Sequence, residues 1–176
     1  MRTENRYVHR VIIRTLDVTD VPVMLDINQE NTPALGDETL ESMQQIFEWS
    51  PIALGCDVDG ELVGFCLVMP PGLPYASSNY RWFSERYTDF AYLDRVGLRA
   101  DHQGRGHGAS LYAEIERLIA SGLMTASWFT LEVNLKPLNE GSLRFHQKLG
   151  FTEVGQQVSS SGKLVSLMAK RLGAFE

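Results

Sequence analysis

The chain contains little cysteine, no surplus of basic residues and no long apolar run. Cys56 and Cys66 are the only cysteines among 176 residues, and no Cys or His cluster has the spacing of zinc ligands, so we expect no metal site. Lys and Arg total 16 against 22 Asp and Glu, which gives a net charge of −6. Nucleic acid and anionic membranes both select a basic protein face, so the sequence predicts neither as a partner.

The sequence also has no signal for secretion or for membrane insertion. A transmembrane helix needs about 18 or more consecutive apolar residues, and no run in the sequence reaches that length. The N-terminal segment MRTENRYVHR lacks the apolar stretch of a signal peptide. We therefore expect a cytoplasmic protein. The length of 176 residues, without repeats or linkers, predicts one domain over residues 1–176.

Short β-branched runs and helical apolar spacing alternate along the chain. The strands are predicted at residues 11–16, 52–58, 62–69, 90–98, 126–134, 151–158 and 163–171, and the helices at residues 20–29, 37–49, 104–121 and 139–149. Asp20 and Asp37 are the predicted N-caps of the first two helices. Residues 70–88, rich in proline and aromatic side chains, are expected to form a functional loop, or a loop whose aromatics pack on the core. Hairpins and crossovers together predict an α/β fold with a mixed sheet and helices on its faces.

The dipeptide Asp-Gly at residues 59–60 predicts a two-residue turn between the second and third strands. Such a turn places Cys56 opposite Val63 and Cys66 opposite Ala53. The two cysteines then do not face each other, and we expect both to be free, reduced thiols.

The most informative motif is the glycine-rich segment HQGRGHG, residues 102–108, between a predicted strand and a predicted helix. The start of a helix has unpaired N–H groups and a partial positive charge. Glycines let an anion approach those N–H groups closely, and Arg105 adds positive charge. This segment therefore predicts a phosphate or pyrophosphate site.

Three phosphate-binding motifs compete for this segment. A P-loop requires a Lys-Ser/Thr pair, which is missing here. Gly104-x-Gly106-x-x-Ala109 fits a dinucleotide fingerprint formally, but polar residues separate it from the strand and no second βαβ half follows. Gln103-x-x-Gly106-x-Gly108, by contrast, resembles the coenzyme A motif of the GNAT acetyltransferases.

A second stretch carries the same resemblance. Residues 131–134 (LEVN), followed by residues 139–151 (NEGSLRFHQKLGF), are similar to the last conserved motif of that family. The resemblance is clearest over residues 92–155. It implies the GNAT fold, in which a twisted, mostly antiparallel sheet of about seven strands has helices on both faces and a splay between strands 4 and 5. It also implies direct acetyl transfer from acetyl-CoA to an amine.

The resemblance assigns a set of residues to acetyl-CoA. Backbone amides of the loop would hold the pyrophosphate, the fourth strand would carry the pantetheine arm, and two asparagines would flank that arm. The loop residues are Gln103, Gly104, Arg105, Gly106, His107 and Gly108. The strand residues are Val96, Gly97 and Leu98, and the asparagines are Asn134 and Asn139. Asn139 also fits a second interpretation as the N-cap of the helix that follows it.

Acetyl transfer requires a base for the amine and a proton donor or hydrogen bond for the departing thiolate. His146 stands where the family usually has Tyr, so it is the candidate acid; the alternative is a half-buried His bonded to a backbone carbonyl. Glu132 is the first candidate base, and its alternative is an ion pair with Arg95. Asp94, one strand away and on one face with Tyr92, is the second candidate base.

The acceptor is less well defined by the sequence. By family position alone, Glu30 and Asn31 are expected to bind the substrate's ammonium group. We expect an N-acetyltransferase acting on a primary amine of a small molecule or a peptide N-terminus, and the resemblance allows a homodimer. Two alternatives stay open: an acyl-CoA-binding module without turnover, suggested by His in place of Tyr, and a nicotinamide-dinucleotide enzyme.

Overall fold

The computed structural model describes residues 8–173, which form a seven-stranded sheet with helices on both faces. The strands are β1 (Val11–Thr15), β2 (Ile52–Val58), β3 (Glu61–Met69), β4 (Phe90–Leu98), β5 (Trp128–Lys136), β6 (Thr152–Val158) and β7 (Leu164–Arg171). The helices are α1 (Val21–Glu30), α2 (Leu40–Glu48), α3 (Ser78–Ser84), α4 (His107–Ala120) and α5 (Glu140–Lys148). None of the helices within residues 8–173 combines the length and the apolar character needed to cross a bilayer.

The sheet separates in its middle. The strand order is β1-β2-β3-β4-β5-β7-β6, and every neighbouring pair is antiparallel except β4 and β5. Those two parallel strands pair only where residues 90–92 face residues 128–130. Beyond that point they diverge, which confirms the predicted mixed sheet and its splay between strands 4 and 5.

Two apolar clusters hold the helices on the sheet. Helices α4 and α5 cover one face, where Tyr112, Phe129 and Phe151 are almost completely buried. Helices α1, α2 and α3 cover the other face, where Phe65 and Tyr92 are equally buried. Because both faces are covered, strands β2 and β3 are almost continuously apolar rather than alternating.

Residues 70–88 contain a helix that the sequence did not predict. Helix α3 begins after Ser77, whose side chain accepts a hydrogen bond from the N–H of Tyr80. Tyr80 and Phe83 are buried and pack against Phe90. The interpretation in which these aromatics pack on the core is therefore confirmed, and the segment is not one long loop.

One predicted N-cap is correct in position and the other is wrong. Asp20 is the N-cap residue of α1, but its side chain makes no capping hydrogen bond to that helix. Asp17 instead caps a short 3-10 turn that leads into α1. Thr39 rather than Asp37 caps α2, in a reciprocal capping box with Ser42. Thr and Asp are both favoured N-cap residues, so residue type alone does not show which of Asp37 and Thr39 caps α2.

The β2–β3 hairpin forms as predicted but with a shifted register. A β-bulge between Cys56 and Asp57 places Cys56 opposite Gly64 and Cys66 opposite Leu54, one residue away from the predicted partners. The extra residue is Val63 on β3, because Asp57 pairs with Leu62 and Cys56 pairs with Gly64. A simple count from the turn does not include this insertion. Both cysteines are buried and free, as expected.

Candidate active site

A cavity of about 670 Å³ opens where β4 and β5 separate. Its walls come from both strands, the first turns of α5, the connection between α1 and α2, residues 75–79 and the β6–β7 turn. Seven of the predicted site residues line it: Asn31, Asp94, Val96, Glu132, Asn134, Asn139 and His146. The splay therefore brings together the predicted catalytic residues and part of the predicted cofactor-binding set.

The connection between α1 and α2 closes one side of the cavity. The side-chain amide of Asn134 donates to the carbonyl of Ala34 (3.2 Å), and the Lys163 ammonium donates to the carbonyl of Pro33. Asn31 donates to the carbonyl of Leu98 on β4 (3.0 Å). This connection is thus attached to both strands that diverge beneath it.

Glu30 lies away from the other candidate residues. Its exposed carboxylate forms an ion pair with Arg99, and it does not line the cavity. Asn31 does line it, but its side-chain N–H groups are engaged by carbonyls of Ile27 and Leu98. Of the two residues predicted to bind the substrate ammonium, only Asn31 lies at the cavity.

We call one side of the cavity the carboxylate end; it consists of Glu132, Asp94, Arg95, Tyr75 and Tyr92. Glu132 is partly buried on β5 and accepts a hydrogen bond from the hydroxyl of Tyr92 (2.8 Å). Burial raises the pKa of Glu132 to about 7, even though the Tyr92 hydrogen bond lowers it. Within residues 8–173, Glu132 has no ion-pair partner, so the alternative pairing with Arg95 does not occur.

The second carboxylate, Asp94, has a different environment. It lies in a β-bulge of β4, which breaks the alternation from which Tyr92 and Asp94 were predicted to share a face. One oxygen accepts from the Tyr75 hydroxyl and the other from Nε of Arg95, both at 2.6 Å. The guanidinium of Arg95 also donates to Glu38 at 2.8 Å. The side chain of Asp94 is therefore buried in an ion pair, and both of its carboxylate oxygens accept hydrogen bonds.

We call the opposite side the histidine end; it consists of His146, Ser142 and Tyr112. His146 is buried on α5, with Nδ1 2.8 Å from the carbonyl oxygen of Ser142 and Nε2 2.6 Å from the Tyr112 hydroxyl. Because a carbonyl only accepts, Nδ1 carries the hydrogen, and Nε2 accepts from Tyr112. Burial lowers the pKa of His146, so the ring is neutral near pH 7. These contacts match the alternative of a His bonded to a backbone carbonyl.

Asn139 caps α5 and also lies at the cavity. Its side-chain oxygen accepts a hydrogen bond from the N–H of Ser142 (3.2 Å) and so caps α5. The same residue lines the cavity. The cap fixes the first turn of α5, and with it Ser142 and His146, against the splayed strands.

The glycine-rich loop leads into α4 in the geometry of an anion site. Gly104 and Gly106 have φ angles of 71° and 88°, which side chains rarely tolerate. Gly106 is the N-cap, so α4 begins at His107 rather than at the predicted Gly104. The first turn of the helix exposes amide N–H groups that have no intrahelical acceptor. Its positive dipole end therefore faces the open side of the loop.

Several residues of the site escaped the sequence analysis. Tyr75 lies in a segment without periodicity, and only the fold brings its hydroxyl to Asp94. Tyr112 lies on the buried face of α4, and the apolar spacing of that helix does not reveal its bond to His146. Ser142 lies one turn before His146 on α5, and their i, i+4 separation is the sequence signal for the contact.

The fold of this site occurs in many solved structures. Ard1 from Thermoplasma volcanium is 18% identical, with a TM-score of 0.74 over 93% of this chain and 99% of that one. The ribosomal-protein-S18-alanine N-acetyltransferase from Escherichia coli is 17% identical, with a TM-score of 0.72 over 94% and 96%. The yncA protein of Salmonella typhimurium, solved with its cofactor acetyl-CoA, is 18% identical, with a TM-score of 0.68 over 94% and 95%.

At these identities the structural likeness establishes the fold, and the family rests on sequence. A comparison with curated proteins found no match. The family model described as the acetyltransferase (GNAT) family, however, matches residues 22–151, which is more than half of the chain. This agrees with the resemblance of the two motifs, with the splayed sheet and with the expected acetyl-CoA cofactor. The chain therefore belongs to the GNAT family of acetyltransferases.

Proposed function

We propose that this protein transfers an acetyl group from acetyl-CoA directly to a primary amine of a small molecule or a peptide N-terminus. The observation that carries the proposal is the position of Glu132. This carboxylate lines the cavity beside the point where β4 and β5 diverge, and it has no ion-pair partner within the described residues. A base for an incoming ammonium group requires such an unpaired carboxylate within reach of the bound amine.

The residues present fit acetyl-CoA, which supplies the activated acyl group. The amides at the start of α4 suit its pyrophosphate, because Gly104 and Gly106 leave the approach to them open. Beyond Tyr92, the β5-facing edge of β4 pairs with no strand in the part of the chain that the structure describes. An extended chain with amide groups, such as pantetheine, can pair there along Val96, Gly97 and Leu98, with Asn134 and Asn139 on the far side of the gap.

Glu132 would take the proton from the ammonium form of the acceptor. Its pKa of about 7 lies close to neutral pH, where a substantial fraction of the carboxylate is ionised and basic enough to accept a proton. The Tyr92 hydroxyl holds the carboxylate in place from the buried side. Asp94, whose two oxygens are occupied by Tyr75 and Arg95, is better suited to fixing Arg95 than to accepting a proton.

His146 was the predicted acid for the departing thiolate. A neutral imidazole whose Nδ1–H and Nε2 both bond to protein atoms has no proton to release toward the cavity. We therefore assign His146 a positioning role on α5. The hydrogen bond to the thiolate must then come from another group.

The cavity charges favour a cationic acceptor. Its wall carries more carboxylates than cations, namely Asp37, Glu38, Asp94 and Glu132 against Arg95 and Lys163. Arg95 is neutralised by its bonds to Asp94 and Glu38, and a negative field remains near Glu132. An acceptor that carries a free carboxylate next to its amine would be disfavoured in this field.

A second candidate function is an acyl-CoA-binding module without turnover. The observation that favours it is again His146, which replaces the family's Tyr and is bonded at both nitrogens. Such a module would bind acetyl-CoA through the α4 loop and splay but would not release thiol.

Two measurements on the full chain separate these functions. Calorimetry with acetyl-CoA tests the cofactor site, and a thiol-release assay with a panel of amines, polyamines and short peptides tests turnover. We expect binding, and thiol release that depends on the amine. Binding without thiol release across the panel would favour the module, and no binding would contradict both functions.

Three expectations from the sequence complete the proposal. We propose a single catalytic domain, a cytoplasmic location and a homodimer. Size-exclusion chromatography with light scattering tests the homodimer, and fractionation of cells that express the chain tests the location.

A further inference from the structure

We propose that the hydroxyl of Ser142 donates the hydrogen bond that stabilises the coenzyme A thiolate as it leaves, and that His146 and Tyr112 position this hydroxyl. The inference rests on the proposed function, since it concerns the acetyl-CoA bound in the same cavity. It assigns to α5 a group that the sequence pattern did not indicate, one turn before the residue expected to be the acid.

The direction of the hydrogen bonds at the histidine end carries the argument. The ring hydrogen of His146 lies on Nδ1, because Nδ1 is 2.8 Å from the Ser142 carbonyl. The same nitrogen is 3.2 Å from Oγ of Ser142, so its hydrogen is shared between these two oxygens. The serine hydroxyl is therefore an acceptor toward His146. Its own hydrogen must point elsewhere.

No protein atom within residues 8–173 takes that hydrogen. The only hydrogen-bond partner of Oγ of Ser142 is Nδ1 of His146, so the hydroxyl does not bond back to a carbonyl of α5. Ser142 lines the cavity together with Asn139, Val96 and Glu132. The unused hydrogen thus has the cavity as its available direction, on the side of the splay opposite the carboxylate end.

Packing fixes the histidine that organises this hydroxyl. The His146 ring lies edge-to-face against Phe145 and Phe151, with ring centroids 5.2 Å and 5.7 Å apart. Tyr112 beneath it is almost completely buried and donates to Nε2 at 2.6 Å. Because both nitrogens are engaged and the ring is enclosed, the Nδ1–H that orients Ser142 has one position.

The chemistry requires a hydrogen bond and not a proton transfer from Ser142. When the carbon–sulfur bond breaks, its electron pair stays on sulfur, and the serine O–H bonds to that anion while keeping its own proton. A full transfer would require neutral His146 to give up its single ring hydrogen. The ammonium group gives one proton to Glu132, and the neutral nitrogen then forms the new carbon–nitrogen bond to the acetyl carbon. The nitrogen loses its second proton to solvent as the carbon–sulfur bond breaks, and the thiolate takes a proton from solvent once it is free. Ser142 would therefore act as a catalytic residue, and His146 and Tyr112 as positioning residues.

The thiol of bound coenzyme A reports on this hydrogen bond without any acceptor or turnover. A donor to the thiolate lowers the pKa of that thiol. The pKa is measured by titrating the ultraviolet absorbance of the thiolate in the complex of coenzyme A with the full chain. We expect Ser142→Ala to raise this pKa by about one unit or more, the value of a hydrogen bond to a charged group. Ser142→Thr, which keeps a hydroxyl, should restore it. Ser121→Ala, which removes a hydroxyl at the C-cap of α4 that donates to the carbonyl of Leu118, should leave it unchanged.

Kinetics add a second readout where an acceptor is known. Ser142→Ala should then lower kcat about ten-fold, the equivalent of one pKa unit, and leave the KM for acetyl-CoA near its wild-type value. An unchanged thiol pKa in Ser142→Ala overturns the inference, as does a shift produced by His146→Phe but not by Ser142→Ala. If Ser142→Ala fails to fold, Ser142→Gly removes the same hydroxyl and is judged by the same criterion. Absence of turnover with every amine contradicts the proposed function but leaves the thiol pKa result standing.

Discussion

The two ends of the cavity differ in the charge of their buried polar groups and in how those groups are stabilised. The carboxylate end keeps three ionisable side chains in a largely buried region and pairs two of them, Asp94 and Arg95. The histidine end contains no charged group, since His146 is neutral and its partners are hydroxyls and a carbonyl. Burying a charge is costly unless it is paired, whereas neutral groups need only satisfied hydrogen bonds.

This difference separates the groups that can take part in the reaction from the groups that hold them in place. At the carboxylate end, Glu132 has no ion-pair partner within residues 8–173, and it is the group that can change protonation state near neutral pH. Every other group at the carboxylate end holds Glu132 or the strands around it. At the histidine end the groups are fixed as neutral donors and acceptors, a state suited to bonding an anion that forms and leaves.

The largest expected effect comes from removing the unpaired carboxylate. Glu132→Gln keeps the shape of the side chain but removes its basicity, so thiol release should fall by about 10²- to 10⁴-fold. Acetyl-CoA affinity, measured by calorimetry, should stay unchanged. Glu153→Gln is the matched control, because Glu153 on β6 also accepts from a hydroxyl but lies outside the cavity. Loss of acetyl-CoA binding in Glu132→Gln would mean that this residue supports the cofactor site instead.

Replacing the paired carboxylate, Asp94, should lower the free energy of unfolding. Asp94→Asn leaves the buried guanidinium of Arg95 with Glu38 as its remaining anionic partner, and breaking such a buried pair costs about 3–5 kcal/mol of unfolding free energy. Urea denaturation measures the loss. Glu114→Gln breaks an exposed ion pair with Arg117 and should cost about 1 kcal/mol or less. Equal losses in the two variants would contradict the placement of Asp94 in a buried ion pair with Arg95.

A smaller effect is expected at the histidine end. Tyr112→Phe removes the donor to Nε2 of His146 and leaves that buried nitrogen unsatisfied, at a cost of about 1–3 kcal/mol. Tyr87→Phe is the control, because the Tyr87 hydroxyl has no hydrogen bond within the described part of the chain, and its loss should be close to neutral. Urea denaturation of both variants makes the comparison. A neutral Tyr112→Phe would show that His146 is not fixed in the way described.

The smallest expected effect is a pH dependence of stability. The pKa of Glu132 is about 7 in the folded state and has an ordinary value of 4.5, so the folded protein holds this proton more tightly than the unfolded chain. Its contribution to stability is full below pH 4.5 and is lost as the pH rises through about 7. Glu132→Gln should match the wild type at pH 4.5. At pH 8 it should be more stable by on the order of 1 kcal/mol, because solvent at the partly exposed carboxylate screens part of the burial effect. A wild type favoured at pH 8 would contradict the raised pKa.

Most of the fold was accessible from local sequence. The turn at residues 59–60, the glycine loop before α4 and the apolar spacing of α4 each depend on residues close in the chain. Helix α3 was missed because its aromatics are stabilised by tertiary burial against Phe90 and Tyr92 rather than by an amphipathic period. The bulge at Cys56 was missed because an extra residue in a strand leaves no mark in the hydrophobic pattern.

The sequence predicts which residues form the site better than it predicts the hydrogen bonds and ion pairs among them. The motifs indicate Glu132 and His146, the neighbouring strand adds Asp94, and all three line one cavity. Which carboxylate is paired depends on the bulge in β4 and on Tyr75, which lies 19 residues before Asp94. The state of His146 depends on Tyr112 from another helix, 34 residues away. Contacts over such separations cannot be read from spacing along one strand or helix.

The most direct test of the account is the pH dependence of kcat/KM for acetyl transfer, measured in the wild type and in Glu132→Gln with one amine acceptor. The account predicts that kcat/KM of the wild type rises with pH along a limb centred near 7, the pKa of Glu132. That limb should be absent from Glu132→Gln. A limb near pH 7 that is the same in both proteins would show that another group is the base and would contradict the account.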